Sequence, residues 1–221
     1  VYVLNDWDIS DGGQTAEDVL QNGNRLLTGN GYLGRRGVVD EAEAADMPAT
    51  ILAGLYDCHG DKWREPVNAP DPLYVLITAG DQALRADSGY THHHEQALNF
   101  RYGIYTRTTT WRLSAGKLTA KVERFAHMED VHLLCMRYTL CADTPCRLVI
   151  KHGINSTVKD LNGPHLGNFM VVKPAQNSVE QNVLGLSCTT LEQKIPLGVF
   201  SAFVLPLSGN SNAVMQTQTS K

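Results

Sequence analysis

Carboxylates are the side chains in this chain best suited to acid–base chemistry. Glu41, Glu43, Asp57, Asp61, Glu65 and Glu123 are the candidates. Two of them, one protonated and one ionised, could act as a general acid with a base or nucleophile. Their spacing singles out no pair, so such a site would have to be assembled in space. The run His92-His93-His94-Glu95 offers ligating groups. On a strand His92 and His94 would share a face and His93 would point away. HExxH-type spacing is absent, so no metal is expected and the run is read as a solvated loop. The five cysteines, Cys58, Cys135, Cys141, Cys146 and Cys188, are odd in number and include no CxxC pair. They are expected to be buried free thiols in a reducing compartment rather than a disulfide framework or zinc site. A GxSxG elbow, a P-loop and a GxGxxG following a strand are all missing.

A second kind of chemistry is stacking. Trp63 lies in the polar loop Asp57–Glu65 with Asp61 beside it, and Pro66, Pro70 and Pro72 follow closely. An aromatic among hydrogen-bonding side chains suits carbohydrate contact. The competing reading is that Trp63 covers a sandwich edge.

Positioning these groups falls to the stretch Gly29-Asn30-Gly31-Tyr32-Leu33-Gly34-Arg35-Arg36-Gly37, where four glycines and two adjacent arginines occupy nine residues. Asn30-Gly31 signals a hairpin whose type I′ turn would hold both residues at φ > 0. Gly34 and Gly37 then interrupt the strand, as glycine does at a bulge or where another backbone comes close. On this reading Gly34→Val disrupts the sandwich. A regular strand puts Leu33 and Arg35 on one face and Tyr32 and Arg36 on the other. At least one arginine then faces packed structure and needs a carboxylate, with Glu41 and Glu43 nearest. The stretch is either a hairpin with a structural ion pair or a glycine-shaped surface open to another domain or a sugar.

The rest of the chain reads as strands and turns. Thr15 is expected to cap a short helix with Asp18 at its third position and Gly23 at its end. Strands are expected over residues 49–57, 73–78, 104–113, 118–125, 131–140, 146–154, 169–173, 183–190 and 199–205, with 131–140 as a candidate central strand. Leu118–Phe125 alternates strictly, so one face is buried and one is wet. Several short strands at hairpin spacing with one or two short helices at most predict an all-β antiparallel sandwich in a single domain spanning residues 1–221. Hydrophobic content of 43% and a net charge of −4 suit a globular chain without a nucleic-acid surface. No apolar run approaches about 20 residues, so no membrane helix is expected. The start has no basic n-region, which fits a cytoplasmic protein, although it lacks an initiator Met and an upstream leader stays open. The polar segment Pro206–Lys221 suggests a cut within the fold and an exposed edge open to dimerisation.

The blocks together resemble a known family. Asn30 to Gly37 with Glu41 behind it is similar to the signature of the N-terminal domain of glycoside hydrolase family 65, the maltose, kojibiose and trehalose phosphorylases and acid trehalases. Ile51–Asp57, Glu65–Pro70, Leu98–Arg107 with Trp111, and Val122–Phe125 resemble further family blocks in order. Near Gly153–Ser156 the match fades, with Asn155 where the family usually has aspartate. The resemblance implies a β-super-sandwich preceding an (α/α)₆ barrel that carries the general acid and phosphate site. Such a chain would be catalytically silent alone, with its own C-terminal barrel as partner and a homodimer as assembly. The parent would be an inverting disaccharide phosphorylase using inorganic phosphate as co-substrate and no other cofactor. Trp63, Asp61 and Tyr32 would be substrate-entrance candidates. A stand-alone carbohydrate-binding module and the N-terminal domain of a trehalase-like hydrolase are the alternatives.

Overall fold

Period-two alternation is the dominant local signal, and the computed structural model, which describes residues 6–172 and 183–204, is built almost wholly from it. Strands are numbered in chain order. β1 (Asp8–Asp11), β8 (Thr91–Asn99), β9 (Ile104–Leu113), β10 (Gly116–Ala126) and β11 (Leu134–Ala142) form one antiparallel sheet in that order. β12 (Leu148–Asn155), β6 (Asp71–Ala79) and β7 (Gln82–Ala83) form a second. β2 (Thr28–Gly29), β3 (Leu33–Arg35), β4 (Thr50–Asp57) and β5 (Glu65–Asn68) make a third, and β13 (Leu166–Val172), β14 (Val183–Thr190) and β15 (Pro196–Ala202) a fourth. The expected all-β sandwich is therefore present, with 53% of the described residues in strand and 7% in helix.

The core forms where the five-stranded sheet meets β6. Trp111, Leu118 and Ala120 pack on Val75, Ile77 and Leu84, and all six are buried. Leu118 lies opposite Trp111 in the β9–β10 register, so the two inward rows coincide across the pair. The Trp111 indole is not left polar and unpaired: Nε1 donates to the Arg85 carbonyl at 2.9 Å.

The one α-helix among the described residues, α1 (Ala16–Arg25), starts as expected. Thr15 Oγ1 accepts from Asp18 N at 3.1 Å, and Asp18 Oδ2 accepts from Thr15 N at 3.0 Å. Gly23 does not end it, because Gly23 sits inside the last turn, buried, with its carbonyl accepting from Gly37 N at 2.7 Å. The glycine serves close packing rather than termination. A Cβ there would lie 2.9 Å from the Arg36 guanidinium and from Val38.

Several expectations change. The histidine run is not a solvated loop but the start of β8, with His94 buried. Glu65–Asn68 is a short strand, and it pairs with β4. The 131–140 strand is not central: among the described residues β11 is bonded only to β10, and its side chains are half-buried or exposed. Of the cysteines only Cys188 is buried, while Cys58 and Cys135 are half-buried and Cys141 and Cys146 exposed. The hairpin turn also differs. Asn30 N donates to the Leu33 carbonyl at 3.1 Å, so the central residues are Gly31 and Tyr32; Gly31 has φ 89° and Tyr32 is not at positive φ, which is the sign pattern of a II′ rather than a I′ loop. Asn30 Oδ1 instead accepts from Tyr32 N and Leu33 N, a local side-chain turn. Pro206–Lys221 lies outside the described residues.

Candidate functional site

The two arginines of the glycine-rich stretch take different fates, as strand alternation requires. Arg35 is fully buried and Arg36 half-buried. Arg35 Nη1 bonds Asp71 Oδ1 at 2.5 Å. Neither Glu41 nor Glu43 is its partner, which corrects the sequence expectation. Glu41 is 2.6 Å from Arg107, and Glu43 accepts from the Tyr74 hydroxyl at 2.7 Å. Asp40 accepts from Arg124 at 2.7 Å and lies 3.7 Å from Arg107. Three arginines and three carboxylates thus neutralise one another inside the domain. Arg124 also stacks on Tyr105, with its guanidinium carbon 3.9 Å from the ring centroid. Burial works against the Arg107 charge, but Glu41, Tyr138 and Asp40 outweigh it and hold its pKa well above the usual value.

A directed hydrogen-bond chain runs beside this layer. Tyr105 Oη donates to Gln96 Oε1 at 3.0 Å, and Gln96 Nε2 donates to His94 Nε2 at 3.0 Å. His94 Nδ1 is then the protonated nitrogen and donates to Thr109 Oγ1 at 2.8 Å. This arrangement admits only neutral imidazole, since a second ring proton would face the Gln96 amide hydrogens. Burial first, and the Arg107 charge second, push the His94 pKa down to about 3. Among the described residues no cluster of His, Cys, Asp and Glu has metal-binding geometry.

The glycines divide by what they face. A Cβ on Gly37 would lie 2.5 Å from the Leu26 carbonyl oxygen, so only glycine lets the backbone after β3 meet the C-cap residue of the helix there. At Gly34 the nearest atom is the Thr28 carbonyl oxygen at 3.9 Å, an ordinary contact. The backbone requirement assigned to Gly34 belongs to Gly37. Arg36 donates to the carbonyls of Leu20 at 2.9 Å and Met47 at 2.7 Å, which ties the helix to the segment before β4. Asn30 Nδ2 bonds the carbonyls of His127 and Val131 at 2.7 and 2.9 Å, so the hairpin clamps a loop about a hundred residues away.

The open polar end of the molecule lies elsewhere, at the β4–β5 loop. Asp57 and Glu65 close this loop as register partners. Glu65 Oε1 accepts from His165 Nε2 at 2.7 Å and from Asn162 N at 2.8 Å, and Oε2 from Asn162 Nδ2 at 2.6 Å. Asp160 accepts from Asn68 N at 2.8 Å and from His165 N at 3.2 Å. Asp57 Oδ2 accepts from Leu191 N and Glu192 N. Burial alone would raise the Glu65 and Asp57 pKa values, yet these N–H donors outweigh it and hold both below the usual range. Three loops are pinned together, and on them stand exposed side chains. Trp63 is 66% exposed, Leu161 is 77% exposed, and Asp61 is open to solvent. Arg64 is tied to Glu192 at 2.7 Å.

Tyr32 does not join this group. Its ring packs edge-on against His132, with centroids 4.4 Å apart. Among the described residues no bond or ring contact links it to Trp63 or Asp61. Sequence reasoning missed Asp71, Arg107 and Arg124 as ion partners, and Asp160, Asn162 and His165 as loop anchors. A signal existed for Arg124: strict alternation puts it on the face of Leu118, Ala120 and Val122. His165 had none, being a hundred residues from Glu65.

The class these features define is an antiparallel β-sandwich domain with a neutralised charged core and one polar, loop-built end. The chain belongs to the family described as glycosyl hydrolase family 65, N-terminal domain, which matches residues 10–221. Nigerose phosphorylase of Lachnoclostridium phytofermentans is 38% identical over 178 residues, covering 80% of this chain and 24% of that protein. 1,2-alpha-glucosylglycerol phosphorylase of Bacillus selenitireducens is 28% identical over 162 residues, covering 72% and 21%. A solved structure described as a candidate kojibiose phosphorylase from human microbiome superposes with a TM-score of 0.76 at 17% identity, covering 88% of this chain and 27% of that one. That likeness shows the fold. The chain spans about a quarter of the length of the curated relatives it matches.

Proposed function

We propose that this chain is the single, non-catalytic N-terminal domain of a longer inverting α-glucoside phosphorylase. One observation carries the reading: the candidate carboxylates are committed to structure. Glu41 is bound to Arg107, Glu43 to Tyr74, Asp57 to a backbone turn, Glu65 to His165 and Asn162, and Glu123 to Arg137. Asp61 stands exposed on the β4–β5 loop. A glycosidic acid needs a raised pKa and either a second carboxylate or bound phosphate opposite it. Glu65 and Asp57 are instead held low, as hydrogen-bonded anions. The names of the relatives support phosphorolysis as the parent reaction. Phosphate attacks the anomeric carbon of an α-glucoside, the glycosidic oxygen leaves with a proton, and β-glucose 1-phosphate and the acceptor are released. Inorganic phosphate is the co-substrate, and no organic cofactor or metal enters.

The domain's own part is to scaffold the C-terminal barrel, contribute contacts to a homodimer and shape the substrate entrance with Trp63 and Asp61. The odd, unpatterned cysteine set supports a cytoplasmic, reducing location. Among the described residues no helix is long and apolar enough to cross a membrane. The test is phosphate-dependent turnover of nigerose, kojibiose, maltose and trehalose by the full-length protein and by this chain. Turnover by the full-length protein alone is the expected result. Turnover by this chain would overturn the non-catalytic reading, and phosphate-independent cleavage would make the parent a hydrolase.

A further inference from the structure

The hairpin joining β8 to β9 ends in Phe100-Arg101-Tyr102-Gly103. Hairpin loops ordinarily carry Asn, Asp, Gly or Ser, because those residues suit the backbone and cost nothing in water. Here three large side chains face solvent. Phe100 is 56% exposed, Tyr102 is 67% exposed, and Arg101 is exposed with its guanidinium carbon 5.6 Å from the Tyr102 ring centroid. Trp7, 48% exposed, lies alongside, since its carbonyl accepts from Phe100 N at 2.8 Å. Nothing in the sandwich requires these groups, because the core residues below them, Leu98 and Tyr105, already pack on Leu26.

The tip is also held in shape. Asn99 Oδ1 accepts from Tyr102 N at 3.0 Å, and Asn99 Nδ2 donates to Asp8 Oδ1 at 2.5 Å. Gly103 supplies the left-handed turn residue at φ 64°. A preorganised loop loses little freedom on binding, and aromatics with arginine are the composition of interface hot spots.

Three occupants can be weighed. A sugar stacked on Tyr102 would need several planar polar groups beside the ring, but Asn99 and Asp8 are already bonded to each other and to the loop, which leaves Arg101 alone. A second copy about a two-fold axis would bring Arg101 toward its own like charge. A protein surface with an apolar recess and a carboxylate fits both the rings and the cation. The relatives are about four times as long as the part matched here. We propose that Trp7, Phe100, Arg101 and Tyr102 form the docking surface for the C-terminal part of the same polypeptide, with a carboxylate of that part facing Arg101. This rests on the reading of the chain as the N-terminal domain of a longer phosphorylase.

Hydroxyl-radical footprinting of the full-length protein tests it. Phe100 and Tyr102 should be oxidised about tenfold more slowly in the wild type than in Arg101→Glu, and Tyr102 about tenfold more slowly than in Phe100→Ser, the loss expected when a hot-spot contact is removed. Arg112→Glu, another exposed arginine, should leave their oxidation rates unchanged. Rapid oxidation in the wild type, unaltered by Arg101→Glu, would overturn the proposal. So would protection that disappears on dilution, which means a second copy, or protection that appears only with added nigerose or kojibiose, which means a sugar. Phosphorolysis assayed on the same samples separates the two levels. An active phosphorylase with an unprotected tip removes the docking surface alone, whereas a full-length chain with no further domain and no phosphorolysis removes the reading beneath it.

Discussion

The domain holds two polar regions that differ in what their charges are for. Behind the glycine-rich stretch, Arg35, Arg107 and Arg124 face Asp71, Glu41 and Asp40, all buried and mutually neutralised. At the β4–β5 end, Asp57, Glu65 and Asp160 are spent on backbone N–H groups and a histidine, and they hold loops whose outer side chains stay in water. The first region fixes the relative positions of sheets and helix. The second fixes three loops at one open end. A dense cluster of ionisable groups is therefore a poor guide to function by itself, since the denser of the two is closed.

The largest effect that sharpens this contrast is expected at Asp40. Asp40→Asn leaves Arg124 and Arg107 short of a buried counter-charge and should cost about 3–5 kcal/mol, read as a lower urea midpoint or failure to fold. A loss below about 1 kcal/mol would mean that water reaches this layer and that the two regions are alike. Next is the glycine pair. Gly37→Ala should cost about 1–3 kcal/mol through the clash with the Leu26 carbonyl, while Gly34→Ala should change thermal stability little. The reverse order would return the backbone requirement to Gly34.

The histidine beside the closed layer gives a pH test. Folding holds the His94 pKa at about 3 against the usual 6.5, so the neutral ring is favoured in the folded state. Its contribution is complete above pH 6.5 and is lost as pH falls through the window between 6.5 and about 3. The slope is about 1.4 kcal/mol per pH unit for one proton. His94→Gln should flatten the fall in unfolding free energy between about pH 6.5 and pH 5 relative to wild type. Parallel curves for the two would show that the ring is not held neutral. The smallest stability effect belongs to the open end. Trp63→Ala should stay within about 0.5 kcal/mol of wild type, because the side chain is mostly in water. In the full-length protein it should raise KM for disaccharide more than it lowers kcat if the loop borders the entrance. An unchanged KM would leave Trp63 without a role there.

Much of the fold was legible because alternation is a local property. β9 was read residue for residue, and β10 lacked only its ends, since each has an apolar row every second residue against a clear polar row. The helix start was legible through Thr15 and Asp18, which bond each other three residues apart. The histidine strand was missed because its inward row, His94, Gln96 and Leu98, begins with polar residues that look like a wet face. Only the partners Thr109 and Tyr105 from β9 make them core residues. For the candidate site, Trp63 and Asp61 could be found as exposed groups on a loop. Their surroundings could not, because Asn162 and His165 reach Glu65, and Asp160 reaches Asn68, from about a hundred residues away.

The sequence by itself determined the all-β class, the inward rows of the long strands, the capped helix and the family resemblance, all of which depend on neighbours within a few residues or on ordered blocks. Only the tertiary structure decided which carboxylate neutralises which arginine. An ion pair inside a protein is chosen by where strands cross and by the need to leave no buried charge alone, and neither is written in spacing. That is why Arg35 met Asp71 rather than the nearer Glu41, and why Gly37 rather than Gly34 is the residue the backbone cannot spare.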